Sequence, residues 1–60
     1  MKNTLLRQET GDWLELYLDG TGRWRWRVSA LNGRIIASSS QGYLTKWGAK
    51  KNARRCGWKV

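Results

Sequence analysis

Sixty residues with 40% hydrophobic side chains make one small domain, and a chain of that size buries only about 60% of the surface its unfolded form exposes, so its stability is marginal. Twelve Lys and Arg against four Asp and Glu give a formal net charge of +8. The absence of His and the presence of one cysteine, Cys56, exclude an internal disulfide, a conventional zinc site and histidine-based acid–base catalysis. All four acids (Glu9, Asp12, Glu15 and Asp19) lie in the first nineteen positions, whereas residues 21–60 carry ten Lys or Arg and no carboxylate. Such a cation attracts polyanions.

The first eleven residues, MKNTLLRQETG, are polar and weakly periodic, and they read as a loose arm ahead of a single domain over 12–60. Their only apolar run, Leu5-Leu6, is too short for a secretory leader, and nowhere do eighteen apolar residues follow one another. With a lone cysteine, the expectation is a soluble protein of a reducing cytoplasm with no membrane partner. Trp13 to Asp19 alternates strictly, Leu14, Leu16 and Leu18 on one side and Trp13, Glu15, Tyr17 and Asp19 on the other, which is strand periodicity. Asp19-Gly20-Thr21-Gly22 then supplies a reversal.

A second strand covers Arg23 to Leu31, with Trp24, Trp26, Val28 and Ala30 facing one way and Arg23, Arg25, Arg27 and Ser29 the other. Asn32-Gly33 predicts a two-residue hairpin of type I′, which places Ala30 opposite Ile35, Ser29 opposite Ile36, Val28 opposite Ala37 and Arg27 opposite Ser38. One face of the sheet then gathers Trp24, Trp26, Val28, Ala30, Ile35 and Ala37. The other gathers Arg23, Arg25, Arg27 and Arg34 with Ser29, Ile36 and Ser38. Ser38 to Gly42 is small and polar and should leave the sheet. Thr45 is an N-cap for a helix running to about Cys56 and closed by Gly57. Ala49, Ala53 and Cys56 form its narrow small-residue stripe, with Cys56 expected to be buried, while Lys46, Lys50, Lys51, Arg54 and Arg55 cover the rest. Gly48 interrupts this helix and costs it about 1 kcal/mol relative to Ala. Trp58 and Val60 either fold back on the core or extend an edge.

The run Leu16-Tyr17, Asp19-Gly20, Gly22-Arg23-Trp24-Arg25-Trp26-Arg27-Val28, Ala30, Asn32-Gly33-Arg34-Ile35-Ile36-Ala37, Gly42-Tyr43, Lys46 and Ala49 resembles the YegP-like family, a domain of unknown function. The likeness covers about residues 13–56. It implies an α+β fold, a three-stranded antiparallel sheet followed by one C-terminal helix, in tandem repeats or in dimers that imitate them. A single copy points to a homodimer, as does the small core, although five Trp of roughly 150 to 250 Å² each enlarge what that core can bury. Gly42-Tyr43, Thr45-Lys46 and Ala49 are also similar to a step in the three-strand-and-helix DNA-binding domains of tyrosine integrases, which implies insertion of the sheet into a DNA groove.

Strand side chains at i, i+2 and i+4 project roughly 7 Å apart, close to the separation of phosphates along a DNA strand, so Arg23, Arg25 and Arg27 could track a backbone. Simple solvation, stacking on aromatics or pairing with Glu15 is the alternative. The helix cations Lys46, Lys50, Lys51, Arg54 and Arg55 repel one another, which an external anion would relieve. Trp24 and Trp26 share the apolar face and read as core rather than as base-stacking platforms. The resulting expectation is a non-enzymatic nucleic-acid-binding protein, for DNA more than RNA, acting by phosphate contact through Arg23, Arg25, Arg27, Arg34, Lys46, Lys50, Lys51, Arg54 and Arg55, with no cofactor or metal. An interaction module or inhibitor that captures an acidic protein is the alternative.

Overall fold

A computed structural model describes residues 3–60 as four strands and one helix. The strands are β1 (Thr4–Arg7), β2 (Trp13–Leu18), β3 (Trp24–Ser29) and β4 (Ile35–Ser38), and the helix is α1 (Lys46–Arg55). They form an antiparallel sheet in the order β1-β2-β3-β4, and α1 packs on one face of it against β3 and β2. The α+β class with a C-terminal helix therefore holds, but the sheet has four strands where three were expected.

The additional strand comes from the segment read as a loose arm, of which Met1 and Lys2 lie outside the described residues. Thr4 pairs with Leu16, Leu6 with Leu14, and Arg7 with Trp13. Leu6 packs against the core while Leu5 stays 61% exposed, so only one residue of the Leu-Leu pair is apolar inside. A four-residue strand with one inward leucine has too little period to be read alone. It forms because the edge of β2 offers an unpaired ladder of N–H and C=O groups.

Three hairpins join the strands, and all close in the same way. Gln8 N–H donates to Asp12 O, Asp19 N–H to Arg23 O and Ala30 N–H to Arg34 O, each at 2.8 Å. Inside each, a glycine N–H (Gly11, Gly22, Gly33) bonds back to the carbonyl of Gln8, Asp19 or Ala30. These glycines adopt φ of 92°, 82° and 87°, the left-handed conformation that ends a three-residue loop. They fall eleven residues apart, which makes the sheet a regular meander.

The third hairpin corrects the expected type I′ turn. Asn32 does not adopt positive φ; the loop is Leu31-Asn32-Gly33, and Ser29 pairs with Ile35 instead of Ile36. A register shift follows between Val28 and Ser29, after which Val28 faces Ala37 and Arg27 faces Ser38 as expected. The bulge inserts one residue and so cancels the longer loop. Its consequence is that Ile35, assigned to the core face, is 50% exposed; Ile36, assigned to the opposite face, is 48% exposed. Beyond β4 the chain does not leave β3 as anticipated. Ser39 N–H donates to Trp26 O, and Tyr43 exchanges two backbone hydrogen bonds with Trp24 at 2.7 and 2.8 Å. Gly42 sits tightly enough here that a Cβ would lie 2.5 Å from the Arg23 Cβ.

The core lies between sheet and helix and comprises Leu14, Leu16, Trp26, Val28, Ala49 and Ala53. Fully burying a Leu or Val contributes about 1.5 to 3 kcal/mol, so Leu14, Leu16 and Val28 are its chief apolar anchors. Ala49 and Ala53 let the helix lie close on the strands. Trp26 binds the layers together, its Nε1–H donating to Asn52 Oδ1 at 2.8 Å. Thr45 caps α1 by accepting from Gly48 N–H at 3.1 Å. At the other end Gly57 N–H bonds Arg54 O and Trp58 N–H bonds Ala53 O, a Schellman closure with Gly57 at φ 97°. Cys56, expected in the buried stripe, is exposed because the helix stops before it. Trp58 and Val60 fold back on the core instead. The buried Gln8 fastens this tail, donating to Lys59 O at 3.0 Å and accepting from Lys59 N–H at 2.8 Å.

Candidate functional site

The two groups of cations singled out in the sequence occupy opposite sides of the molecule. Arg25 and Arg27 alternate with the core residues Trp26 and Val28, so they project from the sheet face away from α1. On that face antiparallel pairing sets Glu15 opposite Arg27 and Tyr17 opposite Arg25. Arg27 Nε donates to Glu15 Oε1 at 2.7 Å and its guanidinium lies 4.6 Å from the Tyr17 ring centroid. Arg25 Nε donates to Asp19 Oδ2 at 2.6 Å. A bulk excess of cations over residues 21–60 is therefore partly neutralised across the β2–β3 register, which the linear charge distribution conceals.

Asp19 is the centre of this arrangement. Its Oδ1 accepts from Thr21 N–H at 2.9 Å, Thr21 Oγ1–H at 2.6 Å and Arg23 N–H at 3.0 Å, while Oδ2 holds Arg25. The Thr21 hydroxyl, then the Arg23 amide and the Arg25 guanidinium, hold its carboxyl well below the usual carboxylate range.

The helix is different. At 3.6 residues per turn, burial of Ala49 and Ala53 turns Trp47, Lys50, Lys51, Arg54 and Arg55 outward or to the flanks. None of these four cations meets an Asp or Glu side chain, because the three ion pairs among the described residues are Arg25–Asp19, Arg27–Glu15 and Lys59–Glu9. Arg54 Nη2 donates to Val60 O at 2.9 Å, and Lys51 lies 5.0 Å from the centroid of Trp47, itself 67% exposed. Lys46 stands apart: it reaches inward to donate to Thr4 Oγ1 and lies 5.6 Å from the Trp24 centroid. Arg23 and Arg34 are exposed near hairpin loops, and neither guanidinium is in an ion pair among the described residues. Trp24 and Trp26 belong to the core or its margin, as their shared face indicated.

Beside the helix lies a cleft of about 220 Å³ lined by Tyr43, Gly48, Lys51, Asn52 and Arg55. The four helical members sit at i, i+3, i+4 and i+7, one face of α1, and Tyr43 forms the facing wall from the strand that bridges Trp24. The sequence displayed that spacing, but nothing in it placed Tyr43 across from the helix. Among the described residues no group of three or more His, Cys, Asp or Glu could hold a metal ion, and no helix is long and apolar enough to cross a membrane.

Residues 19–55 match the family described as Domain of unknown function (DUF1508). The chain belongs to this family. The YegP-like resemblance named the same domain. The DUF1508 match takes in β3, β4 and α1 and begins after β2, so the cleft and all the candidate cations lie within it, whereas β1 precedes it. No curated protein and no solved structure matches the chain.

The Asp19 network yields a signed pH dependence. A carboxyl whose pKa is lower folded than unfolded contributes stability that is complete above its unfolded value, about 3.9, and is lost as the pH falls toward the folded one. Urea unfolding should accordingly show stability declining below about pH 4. Asp19→Asn should be less stable at neutral pH and show a shallower acid decline; an unchanged acid profile would contradict the assignment.

Proposed function

We propose that this DUF1508 chain binds nucleic acid through phosphate contacts made mainly by the outer surface of α1. The observation that carries the reading is the set Lys50, Lys51, Arg54 and Arg55, exposed or half-exposed on one helix without an Asp or Glu partner. Arg54 meets only Val60 O and Lys51 only the Trp47 ring, so no Asp or Glu offsets the mutual repulsion, and a polyanion supplies that charge. Arg23 and Arg34 extend the cationic field beyond the helix. Arg25 and Arg27 contribute less, since contact with phosphate would compete with Asp19 and Glu15; Lys46 is engaged with Thr4 and Trp24. Insertion of the sheet into a DNA groove, which the integrase likeness implies, finds less support than docking of the helix side. DNA is favoured over RNA only by that likeness.

An acidic partner protein would meet the same field, and the exposed Leu44 and Trp47 beside these cations favour that second reading, because they offer apolar contact within a charged rim. Salt separates the two. Binding to a random duplex should weaken linearly in log salt, with the slope falling by about one when Lys50, Lys51 or Arg55 is changed to Gln, and by less for Arg25→Gln or Arg27→Gln. No association of micromolar protein with DNA or RNA at low salt would refute nucleic-acid binding and leave the acidic protein as ligand. We place the chain in a reducing cytoplasm, where the exposed thiol of Cys56 persists.

Homodimerisation is part of the proposal. Its support is the small core, the open edges of β1 and β4, and the exposed Leu5, Trp13 and Ile36 of the sheet face opposite α1. Sedimentation equilibrium should give twice the 7.0 kDa chain mass, and a mass remaining at 7.0 kDa at high concentration would contradict it.

A further inference from the structure

We infer that the cleft between Tyr43 and α1 is a binding site for one nucleotide of a single-stranded nucleic acid, a step that rests on the nucleic-acid reading above and names its preferred substrate. Three features of the site converge on that ligand. Lys51 and Arg55 stand four residues apart on its helical wall, both exposed and without a carboxylate partner, so a phosphate at the rim is held from two positions. Tyr43 supplies a half-buried ring on the facing wall, and Lys51 joins the cleft to the exposed ring of Trp47. Asn52 Oδ1 accepts from the Trp26 indole, an arrangement that fixes the amide and leaves Nδ2 as a donor for a base or sugar.

Gly48 gives the fourth argument. Glycine within a helix costs about 1 kcal/mol relative to Ala, and a packing clash would be the usual reason to retain it. No clash is present: a Cβ there would lie 3.4 Å from Thr45 Oγ1 and 3.4 Å from the Tyr43 Cβ, ordinary contact distances, and its φ is not positive. A Cβ there would already touch Tyr43, so a longer side chain would have to run past Tyr43 into the cleft, which glycine leaves clear. A duplex presents mainly phosphates to a helix surface and gives Tyr43 and Trp47 nothing to stack on, whereas a single strand offers unpaired base faces alongside phosphates.

Fluorescence anisotropy with a labelled oligothymidylate of about ten nucleotides and a duplex of equal length tests this, the length being within the span of a small single-strand-binding domain. The wild-type chain should bind the single strand more tightly. Gly48→Leu should weaken single-strand binding by at least about fivefold, the lower end for loss of one stacked base, while duplex affinity stays within about twofold. Gly48→Ala should raise the thermal midpoint; a fall would show that packing requires the glycine. Should Gly48→Leu fail to fold by circular dichroism, the charge-matched pair Arg55→Gln and Lys50→Gln serves instead. Only Arg55 lines the cleft, so its loss should reduce single-strand binding more than loss of Lys50. Equal losses, or an unaffected Gly48→Leu, would overturn the cleft assignment while leaving phosphate binding intact. Absence of binding to both oligonucleotides in the wild type would overturn the broader reading as well.

Discussion

Trp26 sits 2% exposed at the centre of β3, packed among Leu14, Leu16, Val28, Ala49 and Ala53, and its indole N–H meets Asn52 on the helix. A buried indole donor left unpaired would cost about 1 to 3 kcal/mol, so the Trp26–Asn52 bond restricts how α1 can rotate over the sheet. Rotation matters because, apart from the exposed Trp47, the helix carries only its two alanines and Gly48 besides polar side chains. With Asn52 held on the Trp26 indole, Ala49 and Ala53 face the strands. Lys50, Lys51, Arg54 and Arg55 are then held off the sheet, and the 48/51/52/55 face meets Tyr43. A single core contact thus sets both the cationic surface and the cleft.

The same sheet divides the charge. Three of the four acids that cluster early in the chain are distributed by the meander: Glu15 and Asp19 meet Arg27 and Arg25 on the outward face, and Glu9 meets Lys59 of the returning tail. Exposed pairs of this kind contribute roughly 0 to 1 kcal/mol each, so their significance is less in stability than in removing two arginines from the unpartnered set. The helix receives no acid. What began as an excess of positive charge over two-thirds of the chain becomes, in three dimensions, a partly neutralised sheet face and a helix whose cations meet no Asp or Glu.

How much of this was legible in the sequence depends on the range of the interactions involved. Strict alternation in β2 and β3 marked their inward residues, and Thr45 and Gly57 marked the ends of α1, because those signals are local. Strand β1 carried no such signal and exists through pairing with β2. Asn32-Gly33 suggested a two-residue turn, yet the recurrence of glycine at 11, 22 and 33 was the more informative pattern, each being the left-handed residue of a three-residue loop. Next to the turn the expected pairs of Ala30 and Ser29 fail, but beyond the bulge Val28–Ala37 and Arg27–Ser38 hold, because the bulge between Ser29 and Val28 offsets the longer loop. The Arg27–Glu15 pair was readable from strand register, and it was weighed only as the alternative to phosphate contact. Cys56 was misplaced because the helical stripe was continued past a helix that ends at Arg55. The cleft was out of reach, since no local pattern sets Tyr43 opposite Gly48.

The central claim is that α1, and not the arginine-bearing sheet face, meets the polyanion. Amide chemical shifts followed by NMR during titration with a random DNA duplex at low salt decide it directly. The account predicts perturbations concentrated over residues 46–55, with those of β2 and β3 small. Shifts centred on Tyr17, Arg25 and Arg27, with α1 unmoved, would contradict it.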